Sequence, residues 1–88
     1  MKQCVLVTAS WCRACGPMKA YWNELSGLFP NVEFSLADME QLPPLLEDLG
    51  ICSLPAVVFI KDGEITGKSD GVKTKHETAR LVESILEE

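Results

Sequence analysis

The sequence predicts one α/β domain over residues 1–88, a four-stranded mixed sheet with helices on both faces and the element order βαβαββα. Three observations carry this. A continuous apolar run, Cys4-Val5-Leu6-Val7, leads into a segment of helical period and then an alternating strand, the pattern of a βαβ unit. Asp62-Gly63 stands between two strand-like runs and signals a hairpin. Thr74-Lys75-His76-Glu77 has the spacing of a capping box and opens a last amphipathic helix.

Residues 3–8 read as a strand buried on both faces, because the apolar run does not alternate. Cys4 within it reads as a small core residue. Met18, Tyr21, Trp22, Leu25, Leu28 and Phe29 then recur at helical spacing and predict one apolar face. Pro17 lacks an N–H, so a helix already running through Cys12 would lose a bond there and bend. The alternative is a regular helix that starts near Cys15, and Pro30-Asn31 ends either one. Val32, Phe34 and Leu36 alternate with Glu33 and Ser35 in a second strand that ends at Asp38. Pro43-Pro44 fits a helix start; Leu45, Leu46 and Leu49 give a short helix, with Gly50 as its stop. Ala56–Ile60 is the third strand and Glu64–Ser69 the fourth, broken by Gly71. The last helix is expected to bury Leu81, Val82, Ile85 and Leu86, with His76 solvated in its first turn. The βαβ unit should be parallel and right-handed, and the hairpin adds an antiparallel edge.

Composition narrows the function. A hydrophobic fraction of 47% and a charged fraction of 24% describe an ordinary globular chain. The net charge of −5 argues against nucleic acid and anionic membrane as partners. No apolar stretch is long enough to span a bilayer. Met1-Lys2-Gln3-Cys4 runs into the first strand without a small-residue cleavage site, so no signal peptide is expected. Four cysteines in such a chain point to the cytoplasm, where disulfides are transient and catalytic.

The chemistry centres on Ala9-Ser10-Trp11-Cys12-Arg13-Ala14-Cys15. Two thiols separated by two residues can form a disulfide across one turn. A strand end followed by a helix start is the setting in which such a pair reads as a redox site. The helix N-terminus offers unpaired N–H groups and the positive end of the macrodipole, both of which favour a thiolate. Cys12 lies nearer the loop and should be the exposed thiol, with Cys15 a turn deeper. Two blander readings compete. A zinc site with Cys4 and Cys52 would need a second closely spaced ligand pair, which neither provides. An inert buried couple is disfavoured by Trp11 directly before Cys12. No metal site is expected.

Ala-Ser-Trp-Cys-x-x-Cys before a helix, Ser53-Leu54-Pro55 opening the third strand, and Lys61-Asp62-Gly63-Glu64 together resemble a thioredoxin. The likeness covers nearly the whole chain. The N-terminal strand and helix of full-length thioredoxins are missing from it, so the sequence reads as a minimal version of glutaredoxin size. The resemblance implies that Cys12 attacks and Cys15 resolves, with Arg13 and Ala14 between them. It implies a cis Pro55 beside the thiols, a Leu54 backbone that pairs with an extended substrate segment, and Trp11 and Gly71 flanking the groove. The competing reading of Pro55 is an ordinary trans proline at the first residue of a strand; the cysteine pair favours cis. The implied activity is a dithiol–disulfide oxidoreductase that reduces protein disulfides, needs no cofactor and is recycled by a thioredoxin-reductase-type enzyme, acting as a monomer. Two alternatives are a glutathione-linked glutaredoxin-like reductase, for which Ser69-Asp70-Gly71-Val72 is a poor glutathione-binding match, and a binding module with little turnover.

The departures from the family pattern are specific. Arg13-Ala14 replaces the usual Gly-Pro; the family's kinking proline falls at Ala20; its buried acid falls at Leu6 and the neighbouring lysine at Phe34. Cys15-Gly16-Pro17-Met18 also resembles the motif in a second register, which the placement of Trp11-Cys12 and the spacing to Pro55 argue against. Cys52 reads as a loop cysteine without a role; the competing reading is a third, oxidisable thiol. Arg13 and the loss of the acid both favour the Cys12 thiolate, which predicts a couple more oxidising than a typical thioredoxin.

Overall fold

Strand β1 (Lys2–Thr8) lies in the interior of the sheet, parallel to β2 (Val32–Asp38) on one side and antiparallel to β3 (Ala56–Lys61) on the other. β4 (Glu64–Asp70) pairs antiparallel with β3, giving the order β2-β1-β3-β4. The computed structural model describes residues 2–42, 44–47, 49–50 and 54–86. The expectations for Pro43, Cys52 and Ser53 lie outside the described residues, as do the side chains of Leu45 and Leu86. Helix α1 (Cys15–Leu28) follows β1; a short 3₁₀ turn (Met39–Gln41) and helix α2 (Pro44–Glu47) follow β2; helix α3 (Lys75–Leu86) follows β4.

The sheet separates two apolar layers. Cys4 and Leu6 of β1 and Val57 and Phe59 of β3 pack with Met18, Trp22 and Leu25 of α1 and Val82 of α3. Val5 and Val7, alternating with them, join Ala56, Val58, Ile60 and Leu46 on the other face, as the period of two in a strand requires. Both interior strands are therefore buried on both sides, and their sequences are continuous apolar runs for that reason.

Pro17 is accommodated because α1 begins at Cys15. Pro17 is then the third helical residue, where the N–H has no intrahelical acceptor to lose. Two residues predicted for the core are exposed. Leu28 is 60% exposed: it lies about 120° around the helix from buried Trp22. Leu36 is 57% exposed. It sits on edge strand β2, two residues past Phe34, whose ring is covered edge-on by Trp22 at a centroid distance of 5.2 Å. The Trp22 indole N–H also donates to the Ser35 carbonyl at 3.0 Å, anchoring α1 to that edge.

Asp62 and Gly63 turn the β3–β4 hairpin with φ of 52° and 84°, both in the left-handed region that a type I′ turn requires. The register slips between Phe59 and Ile60, leaving Thr66 as an extra residue; its hydroxyl donates to the Phe59 carbonyl at 3.3 Å. At the start of α3 the capping box is complete. The Glu77 N–H donates to Thr74 Oγ1, and the Thr74 N–H donates to Glu77 Oε1, each at 3.1 Å. Val82 is buried, whereas Leu81 and Ile85 are half-buried and His76 is exposed.

The bonds from Thr74 hold the Glu77 carboxyl below its usual range. Stability from this carboxylate is complete above the ordinary glutamate pKa of roughly 4.3 and is lost as pH falls through the depressed folded value. Thr74→Ala should cost about 1 kcal/mol at neutral pH, read from urea unfolding. A variant as stable as the parent would show that the cap contributes nothing.

Candidate redox site

Three chain segments meet at one end of the sheet. The register Val7↔Ala56 and Ala56↔Asp70 puts the exit of β1, the entry of β3 and the exit of β4 side by side. The loop that leaves β1 carries Trp11 and Cys12; Leu54-Pro55 leads into β3; Gly71 follows β4. The Gly71 N–H donates to the Pro55 carbonyl at 2.9 Å, joining two of these segments directly. Gly71 has φ +94°, a conformation that side-chain-bearing residues rarely adopt. The Leu54–Pro55 peptide is cis, and Pro55 is fully buried.

Cys12 and Cys15 are joined in a disulfide with their Cα atoms 5.5 Å apart. Their environments differ. Cys15 is the first residue of α1 and is fully buried, whereas Cys12 is half-buried in the preceding turn. Trp11 beside it is 65% exposed. Arg13 and Ala14 are exposed, and Leu54 is half-buried. The structure thus places Trp11, Cys12, Arg13 and Ala14 on one loop, with Leu54, Pro55 and Gly71 on the adjoining segments.

Successive tight turns shape the entry into α1. The Cys12 N–H donates to the Ala9 carbonyl (3.1 Å), that of Cys15 to Cys12 (3.4 Å), and that of Gly16 to Arg13 (3.2 Å). Ala14 already has helical dihedrals and no side-chain cap. In the disulfide form the Cys15 and Gly16 amides are therefore spent on the turn, and the macrodipole is the helix's remaining pull on a thiolate. Arg13 adds a solvated positive charge between the thiols.

Leu6, where the family places its acid, is fully buried in the apolar layer that includes Met18. Phe34, where the family places a lysine, is in the same layer, sandwiched by contacts to Trp22 and Phe29. Cys4 is buried in β1, and burial pushes its thiol up to about 12. Among the described residues no group of His, Cys, Asp or Glu is gathered that could hold a metal.

Two participants escaped the sequence reading. Val72, directly after Gly71, is an exposed apolar residue, 58% exposed. A large apolar residue next to a strand-breaking glycine was the available signal. Tyr21, read as core, also carries hydrogen bonds through its hydroxyl.

A family model described as Thioredoxin matches residues 1–84. The chain belongs to the thioredoxin family. It is 35% identical over 66 residues to thioredoxin H1 of Arabidopsis thaliana, covering 75% of this chain and 58% of that protein. It is 33% identical over 66 residues to thioredoxin H-type 2 of Nicotiana tabacum, covering 75% of this chain and 56% of that one. The chain thus matches between half and two thirds of the length of these curated thioredoxins. Among solved structures, the thioredoxin of Fasciola hepatica superimposes with a TM-score of 0.78 at 29% identity, over 98% of this chain and 79% of the other.

After reduction, iodoacetamide at mildly alkaline pH should label Cys12 first, Cys15 slowly and Cys4 not at all while the fold is intact, since only thiolates alkylate. Peptide mass spectrometry gives the order. Early labelling of Cys4 would contradict its burial.

Proposed function

We propose that this thioredoxin-family domain is a thiol–disulfide oxidoreductase that reduces protein disulfides. The observation that carries the reading is the disulfide between half-buried Cys12 and fully buried Cys15, at the end of the sheet where Pro55 and Gly71 meet. Cys12 as thiolate attacks one sulfur of the substrate disulfide; a mixed disulfide forms and the other substrate sulfur leaves as a thiolate, which takes a proton. The Cys15 thiol then loses its proton and attacks the Cys12 sulfur. The second substrate thiol is released and the Cys12–Cys15 disulfide forms, so two electrons pass to the substrate. No cofactor enters this exchange.

Substrate contacts follow from the same end of the sheet. β3 is paired on both sides from Ala56 onward, so it offers no open edge. Backbone pairing with a substrate strand is confined to Leu54, ahead of the ladder. Trp11, Arg13, Ala14, Gly71 and Val72 form the surrounding surface, with Pro55 buried beneath it. A thioredoxin-reductase-type enzyme returns the dithiol. A reducing, cytoplasmic setting suits a catalytic disulfide beside the unpaired thiol of Cys4; no described helix is long and apolar enough to cross a membrane.

Insulin reduction with gel trapping tests the roles. Cys12→Ser should abolish turnover, and Cys15→Ser should accumulate a mixed disulfide with the substrate. Trapping by Cys12→Ser instead would transfer the nucleophile to Cys15. The potential should be less negative than the roughly −270 mV of thioredoxin, because one pKa unit of thiolate stabilisation is worth about 30 mV in a two-electron couple. Equilibration against glutathione buffers, followed by tryptophan fluorescence, measures it. Arg13→Gly should move it downward; an unchanged value would remove charge as the cause.

A further inference from the structure

The segment from Gly71 to Thr74 has no regular secondary structure, yet three elements hold it. At one end the Gly71 N–H is bonded to Pro55. At the other, the Thr74 N–H is bonded to Glu77 of α3. Between them the Tyr21 hydroxyl, on α1, donates to the Lys73 carbonyl at 2.9 Å. Tyr21 Oη also lies 2.8 Å from Thr78 Oγ1, and the Thr78 hydroxyl donates to the Thr74 carbonyl at 3.0 Å. Thr78 is fully buried, so this cluster is a fixed point. The Val72 side chain, between the held residues Gly71 and Lys73, projects into solvent.

We infer that the Tyr21 hydroxyl is a positioning group for the substrate groove, tying the helix that begins at Cys15 to the wall formed by residues 71–73. The inference rests on the oxidoreductase reading above. Tyr21 lies about 9 Å along α1 from Cys15, a span the helix keeps rigid. A bond from it to Lys73 therefore fixes the wall relative to the reacting sulfurs. Through Gly71 the same restraint reaches Pro55. Without the hydroxyl, residues 71–73 pivot between Gly71 and Thr74, and the gap between Val72 and Trp11 is no longer set. A protein substrate that lays an extended segment between these walls feels that change. A small disulfide, which touches little beyond Cys12, does not. Burial raises the Tyr21 phenol pKa, the Glu77 charge adds to this, and the Thr78 bond opposes it. The phenol accordingly remains a protonated donor near neutral pH.

Tyr21→Phe removes the hydroxyl and keeps the ring that packs against the α1 core layer. The KM for insulin should rise roughly threefold to tenfold, the equivalent of one net hydrogen bond, with kcat retained. Reduction of cystamine should be unaffected. The Gly71 amide, followed by hydrogen exchange, should exchange faster by a similar factor. Wild-type protein inert toward both disulfides would overturn the oxidoreductase reading and the groove with it. Active wild type, with a variant that loses insulin and cystamine reduction in parallel or that loses neither, would overturn the role of Tyr21 alone. So would an unchanged Gly71 exchange rate.

Discussion

Everything at the redox end depends on the two-sided burial of β1 and β3. Val7 and Ala56 are fully buried partners in the last part of the ladder they share. Their side chains face the same layer, so the exit of one strand and the entry of the other cannot drift apart without opening the core. Burying a side chain of valine size is worth roughly 1.5–3 kcal/mol, and the two strands supply a row of them. The loop with Cys12 and the segment with Pro55 thus inherit their relative position from the apolar packing where β1 ends and β3 begins.

Much of this was legible in the sequence because each signal has one physical meaning. The unbroken run Cys4–Val7 stands for burial on both faces, Asp62-Gly63 for two residues at positive φ, and Thr74 with Glu77 for a reciprocal cap. Cys12 and Cys15 at a strand–helix junction marked the site. Where the reading failed, periodicity was silent about what lies opposite. Leu28 follows the apolar period but lies off the buried stripe of α1, and Leu36 lies on an edge strand past the stretch that Trp22 covers. Tyr21 shows a different limit. Its place in the apolar period was plain, but the partners of its hydroxyl, Lys73 and Thr78, lie more than fifty residues away in the chain. No local pattern encodes such a contact.

The interior around the thiols is apolar where thioredoxins hold ionisable groups. With Leu6 and Phe34 at those places, the electrostatics of Cys12 fall to Arg13 and to the end of α1, both facing solvent. Levers of that kind are screened by salt. Leu6 also offers no proton acceptor to the neighbouring interior.

The irregularity in β4 bears on how the sheet meets other chains. β4 is one of its two outer strands, and an outer strand presents unpaired amides that can recruit a further strand. The extra residue at Thr66 breaks the even spacing of those amides midway, and Lys68, just beyond it, adds a charge that an incoming strand would have to desolvate. Bulges and lysines are the devices by which soluble sheets resist fibril-like growth. A side effect of the slipped register is therefore protection against aggregation.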